Sequence, residues 1–208
     1  QVWENDHWAP MEIVEKTIKV KGGEEVSLTV KKTRHGPIMN DVMDGLGDAP
    51  VSLWWSLFEL PNNSVGAFYD LAHATNIDAA RKAAADNDIL GLNIVYGDKD
   101  GNIAWWASGK IPKRPDHVNP TRFLDGASGK DEPLGYYNFS ENPQKENPES
   151  GILVSANNEP EPMNGQRYAG YYLPKGRFNR ITELLSAKDD WTVENAMLTP
   201  TMKSLCAM

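Results

Sequence analysis

The sequence predicts an α+β fold that is rich in strands. Three observations carry that reading. Two pairs of β-branched or aromatic runs each flank a glycine-containing turn, two helical segments stand between the pairs, and an amphipathic helix follows a long irregular stretch.

The elements follow in order. Residues 12–20 (EIVEKTIKV) and 25–33 (EVSLTVKKT) alternate in part, and the KGGE between them supplies glycines able to take positive φ, which predicts a hairpin. The apolar, aromatic run 51–58 (VSLWWSLF), closed by PNNS, predicts a largely buried strand. Residues 65–74 and 77–85 predict two helices, because Phe68, Leu71 and Ala72 fall at helical spacing and Asn76 can cap the alanine-rich second segment. Residues 90–96 and 103–108 flank GDKDGN, whose Asp-Gly and Gly-Asn steps suit a second hairpin turn. From residue 109 to 150 prolines, glycines and charges give a loop too long to be mere connection, of the kind that covers a site or bridges domains. The stretch 152–158 (ILVSANN) reads as a strand running into an Asx-type turn. After it, Phe178, Ile181, Leu184 and Leu185 mark one face of a helix over 177–187, and a further helix starts near Trp191 with Thr192 and Glu194 in its first turn.

Bulk properties narrow the function. A chain of 208 residues and 23.1 kDa suits a single domain. Its net charge of −8, with no basic run, argues against a surface that tracks nucleic-acid phosphates. Apolar residues make up 40% of the chain, but their runs fall well short of the roughly 18 consecutive residues of a membrane span. The single cysteine, Cys206, excludes an internal disulfide and Cys-rich zinc sites, and suits cytoplasm and periplasm equally. The ends, QVWENDHWAP and MKSLCAM, read as those of an internal piece of a longer protein.

Most candidate chemistry reduces to structure. Asp98, Asp100 and Asn102 have the alternating spacing that opens a calcium loop, but the acid required at loop position 12 is replaced by Gly109, so a hairpin turn is the better reading. His7, His35, His73 and His117 lack metal-ligand spacing, and His35, in TRHGPI, suits a strand-end turn. The pairs Trp54-Trp55 and Trp105-Trp106 would each send one ring inward and one outward in a strand, serving as core or as the wall of a binding pocket. There is no GxSxG elbow and no base beside Cys206 in sequence, so no complete active site is visible. What remains are auxiliary groups: the amides of Asn157 and Asn158, the guanidiniums of Arg177 and Arg180, and aromatic walls.

Several stretches taken in order resemble one family. TVKKTRHGPIM, VSLWWS, LNIVYGDKDGNIAWWASGKIPKR, NPESGILVSANNEP and GRFNRITELL look like successive segments of the β chain of penicillin acylases and the related cephalosporin and acyl-homoserine-lactone acylases, over roughly residues 12–205. The resemblance implies part of the four-layer αββα fold of N-terminal-nucleophile hydrolases. In these a precursor cleaves itself, and the new N-terminal serine attacks an amide with its own α-amine as base. That serine has no counterpart here, since Gln1 is no nucleophile, so residues 1–208 are expected to be one internal fragment of the β chain, inactive alone.

By the same resemblance Asn157 donates its side-chain amide to the oxyanion, a role for which an aspartate would be repulsive, and Arg177 orients Asn157 and the nucleophile. Trp55 and Leu92 resemble walls of the acyl pocket. The implied substrate is a small acyl amide of the β-lactam or acyl-homoserine-lactone type, and the implied partner is the rest of the same precursor, periplasmic or secreted. No cofactor is implied, beyond a structural calcium in the full-length enzyme to which a proline carbonyl near Asn119-Pro120 would contribute. The residues by themselves also admit a self-contained β-rich module that binds carbohydrate or a partner surface through exposed tryptophans.

Overall fold

The computed structural model describes residues 1–163 and 165–198. Cys206 lies outside them. The trace divides into two compact units, the first comprising Gln1–Asn63 and Pro112–Tyr136, the second Ser64–Ile111 and the described part of Tyr137–Met208. Helices and strands are both present, as an α+β reading requires.

The first unit holds short strands. β1 (Val2–Glu4) and β2 (His7–Ala9) form a hairpin through Asn5 and Asp6, both at positive φ (46° and 61°), the dihedrals a two-residue type I′ turn demands. Sequence reading passed over this hairpin, although Asn-Asp between alternating tryptophans was its signal. β3 (Glu12–Ile18) and β4 (Val26–Thr33) form the expected second hairpin, in register from Glu12 opposite Lys32 to Ile18 opposite Val26. Val14, Ile18, Val26, Leu28 and Val30 share one face of it.

β5 (Gly36–Pro37) folds back on β4. A Cβ at Gly36 would stand 2.2 Å from the Leu53 carbonyl oxygen, so only glycine lets these two backbones meet. The run 51–58, expected as a buried strand, is not one. Pairing is confined to a bridge between Ile38 and Ser52, a 3₁₀ turn covers Ser56–Phe58, and Leu53, Trp55 and Phe58 are exposed. Apolar composition alone could not reveal that the backbone lacks a continuous partner here.

The second unit contains the core. α1 (Ser64–Ala72) and α2 (Ile77–Ala85) form the expected helix pair, and Asn76 caps α2 by accepting from Ala79 N at 2.9 Å. β6 (Leu92–Gly97) and β7 (Ile103–Ser108) form the second predicted hairpin, extended by β8 (Gln144–Glu146), a strand inside the stretch read as loop. At the β6–β7 turn, the Asn102 side-chain amide donates to Asp98 Oδ2 at 3.0 Å and the backbone N–H groups of Asn102 and Asp100 donate to Oδ1; the Asn102 amide first, then the backbone bonds, hold the Asp98 carboxyl below its usual range. The acidic triplet is thus a self-satisfied turn.

α2 presents Ala80 and Ala84 to Ala104 and Trp106 of β7, and all four are buried, with Ile94, Tyr96 and Phe139 packed around them. The small alanines let the helix approach closely enough to cover an indole. Trp106 faces this core and Trp105 the opposite side, as the pleat requires. The stretch 152–155, expected as a strand, has no strand partner among the described residues and runs as irregular backbone. α3 (Gly176–Leu185) and α4 (Val193–Leu198) follow as expected, with Thr192 Oγ1 accepting from Asn195 N at 3.2 Å to cap α4. No helix among the described residues is long and apolar enough to cross a membrane.

One ion pair locks α2 to the sheet. Arg81 grips Glu146 with two bonds of 2.6 Å, and the Trp106 indole N–H donates to the same carboxylate at 2.7 Å. The Arg81 bond, aided by that of Trp106, holds the Glu146 carboxyl below its ordinary value. A carboxylate lowered in the folded state stabilises it fully above the unfolded value, near ~4.3, and loses that contribution as pH falls through the folded value. Glu146→Gln is therefore expected to cost about 1 kcal/mol near neutral pH, a figure discounted because Arg81 is 37% exposed and water screens the pair. Thermal unfolding of both proteins between about pH 3 and 7 should show the gap narrowing as acid is added. A gap independent of pH would refute the assignment.

Candidate active site

The ANN turn is built from the backbone upward. Asn157 sits at φ 60°, in the left-handed region that asparagine tolerates better than most residues. The residue is exposed. Its carbonyl accepts from Leu173 N at 2.7 Å, tying the turn to the segment that leads into α3.

Arg177 stands in the first turn of α3, where a cation opposes the helix dipole, so the local rule is broken. Compensation comes from oxygen: Nη2 donates to the Ala156 carbonyl at 2.8 Å and to Asn157 Oδ1 at 2.7 Å. Guanidinium can only donate, so it must face the oxygen of the amide and turn the nitrogen outward. Asn157 Nδ2 has no partner among the described residues. The arrangement is a neutral donor, locked at one end and open at the other.

Asn158 does something different. Its Oδ1 accepts from Ala156 N at 3.2 Å and its Nδ2 donates to the Glu159 carbonyl at 3.1 Å, so this second amide is consumed in the turn. Beyond the turn, Arg167 pairs with Glu159 at 2.6 Å and Lys175 with Glu161 at 3.0 Å. Arg180 pairs with Glu183 on the helix surface and takes no part in the turn.

A cavity of about 460 Å³ lies within the same unit. Trp105, Ile152, Val154, Met163, Phe178 and Asn158 are among its walls. Its lining is mixed, with Lys145, Glu161 and Thr182 beside these apolar walls, and its volume is in the range of small-molecule pockets.

The other sequence-nominated residues are placed separately. Leu92 opens β6 opposite Ser108 and, by the pleat, shares a face with Ile94 and Tyr96; it is 40% exposed. Trp55 belongs to the first unit, 47% exposed, edge-to-face with Phe58 at 5.7 Å. Trp3 and Trp8 are also exposed, and their rings meet at 75°, which presents no common plane for stacking.

Two networks of the first unit escaped sequence reading, because their members lie far apart along the chain. Arg34 bridges Glu4 and Glu132, and His35 Nε2 meets Glu132 at 2.7 Å. Glu59 accepts from Trp54 Nε1 and from the Tyr136 hydroxyl, while Arg114 lies over the Trp54 ring at 5.4 Å. Burial, reinforced by the bond to Glu59, pushes Tyr136 up to about 12, so it stays a proton donor. No group of three or more His, Cys, Asp or Glu among the described residues is placed to hold a metal ion. Asn119 Oδ1 is engaged by the N–H and hydroxyl of Thr121.

Known proteins share this chain's sequence and fold. The sequence model of a family described as penicillin amidase matches residues 1–201. Acyl-homoserine lactone acylase QuiP of Pseudomonas fluorescens strain Pf-5 is 30% identical over 156 residues, 74% of this chain and 19% of its own length. Penicillin G acylase of Escherichia coli is 29% identical over 194 residues, 92% of this chain and 22% of its own. Among solved structures, thermostable penicillin G acylase from Alcaligenes faecalis superposes with a TM-score of 0.79 at 30% identity, covering 93% of this chain and 34% of that one. The chain thus spans about a fifth of the length of the curated relatives it matches.

Proposed function

The chain belongs to the penicillin amidase family, and from that premise we propose that it is the oxyanion-binding part of an amidohydrolase that releases an acyl group from a linear amide. The observation that carries this reading is the Arg177-held amide of Asn157, whose free nitrogen can donate where negative charge develops. The family resemblance supplies the remainder. A serine elsewhere in the same precursor, freed by self-cleavage, adds its Oγ to the substrate carbonyl while its α-amine takes the proton.

The carbonyl oxygen then becomes an oxyanion and accepts the Nδ2–H of Asn157. Collapse breaks the C–N bond, the proton passes to the departing amine, and water hydrolyses the acyl-enzyme by the same route. Arg177 serves twice, fixing the amide by geometry and, as a nearby permanent cation, disfavouring protonation of the amine that must act as base. Trp55 and Leu92 are proposed walls for the acyl group, within the αββα layering of the whole enzyme. We place that enzyme in the periplasm or outside the cell.

The relatives' names give two substrate types to test, penicillin G and acyl-homoserine lactones. The protein that carries this chain is expected to hydrolyse a phenylacetyl or a fatty-acyl nitroanilide, read by release of nitroaniline. No turnover of either, in protein shown to be processed and folded, would overturn the reading.

A further inference from the structure

We infer that Asn158 is a positioning residue for the oxyanion donor, a role that rests on the reading of Asn157 given above. The bond from Arg177 fixes one atom of the Asn157 amide, its oxygen. One fixed atom defines a point and not a direction; where the Nδ2–H groups aim still depends on the backbone that carries the side chain. That backbone is held at φ 60°, a sparsely populated conformation for a residue with a Cβ, and it persists only if its neighbours impose it.

Asn158 imposes it from both sides. Its oxygen accepts from Ala156 N, one residue before Asn157, and its nitrogen donates to the Glu159 carbonyl, two residues after. A single planar group therefore spans the turn and ties the 155–156 peptide to the 159–160 peptide, so the chain on either side of the donor is held from outside. Ala156 is buried, which anchors the clamp, and the Leu173 bond to the Asn157 carbonyl closes the third side.

The chemistry is selective. The clamp needs an acceptor and a donor at the two ends of one short rigid group, which the asparagine amide provides and a carboxylate does not. Asn158 also borders the cavity, so removing its amide leaves open space beside the turn.

The test uses the processed enzyme that carries this chain, with competent sites counted by reaction to completion with a serine-directed sulfonyl fluoride. Asn158→Ala is expected to lower kcat per titrated site by about ten- to a hundredfold, the range that a displacement near 1 Å produces, with KM changed by less than about twofold. Asn158→Asp, of the same size, keeps the acceptor toward Ala156 N but loses the donor toward Glu159, and is expected to lower kcat per site as well. The inference is overturned if both variants keep kcat per site within about twofold of the parent, or if neither forms titratable sites, which assigns Asn158 to folding alone. It is also overturned if KM rises at constant kcat, which makes the side chain a substrate contact on the cavity wall. Asn157→Ala in the same assay separates the two claims: unchanged turnover there removes the oxyanion reading itself, whatever Asn158 does.

Discussion

Replacing Asn157 with alanine is expected to lower kcat by about 10²–10³-fold, the cost of removing one preorganised oxyanion donor. The size of the effect follows from what the alternative would be. Water could solvate the oxyanion in the variant, but it would have to reorient as charge develops, whereas the Asn157 amide is already fixed by the 2.7 Å bond from Arg177. KM should move little, because the amide meets a ground-state carbonyl only weakly and its contribution grows with charge on the oxygen. Stability should fall by about 1 kcal/mol, because alanine bears the left-handed φ of 60° less well than asparagine, while the backbone bond to Leu173 N is kept. A loss of kcat far larger than this small drop in stability could produce is the signature to look for. Turnover within about threefold of the parent would remove Asn157 from the chemistry.

The largest effect on stability is expected at Trp106. Trp106→Ala should cost about 3–5 kcal/mol, because the indole is fully buried among Ala80, Ala84 and Ala104, and alanines have no reach with which to fill the void. Its loss also removes the N–H donor from Glu146, weakening the network that binds α2 to β7 and β8. Against a typical domain stability of about 5–15 kcal/mol, the variant should populate unfolded forms and give mostly insoluble protein. Trp105→Ala is the control. It lies on the other face, half-buried, bonded to Asn93 at 2.8 Å, and should cost no more than about 1–2 kcal/mol. Urea unfolding of the intact protein separates the two, and equal midpoints for both variants would contradict the assigned faces.

Where the chain's local chemistry decides the outcome, sequence reading succeeded. The helix pair was legible because Asn76 caps α2 through its own side chain, and the second hairpin because Asp98 and Gly101 build the turn within five residues. Residues 51–58 and 152–155 misled for a common reason. Apolar, β-branched composition states that a segment favours extension, and a strand needs in addition a neighbour to bond with, which local sequence does not encode.

The site shows the same division. Asn157 and Arg177 are 20 residues apart, and only likeness to a family suggested that they meet. One physical clue was local: an arginine in the first turn of a helix stands against the dipole, and such violations mark places where another requirement has won. Arg34 with Glu132, and Arg81 with Glu146, gave no such clue, because ordinary surface charges become partners only after distant segments are brought together.

The left-handed backbone at residue 157 also limits what evolution can place there. Conformation favours glycine and, among residues with a Cβ, asparagine, aspartate and histidine, while branched side chains are disfavoured by strain. Chemistry imposes a second, independent filter, since glycine offers no side-chain donor and ionised aspartate offers only acceptors. Among the favoured residues only asparagine carries an amide, whose oxygen accepts from Arg177 while its nitrogen still donates. On the role proposed for this amide, a family member with another residue at that position is expected to turn over substrate more slowly.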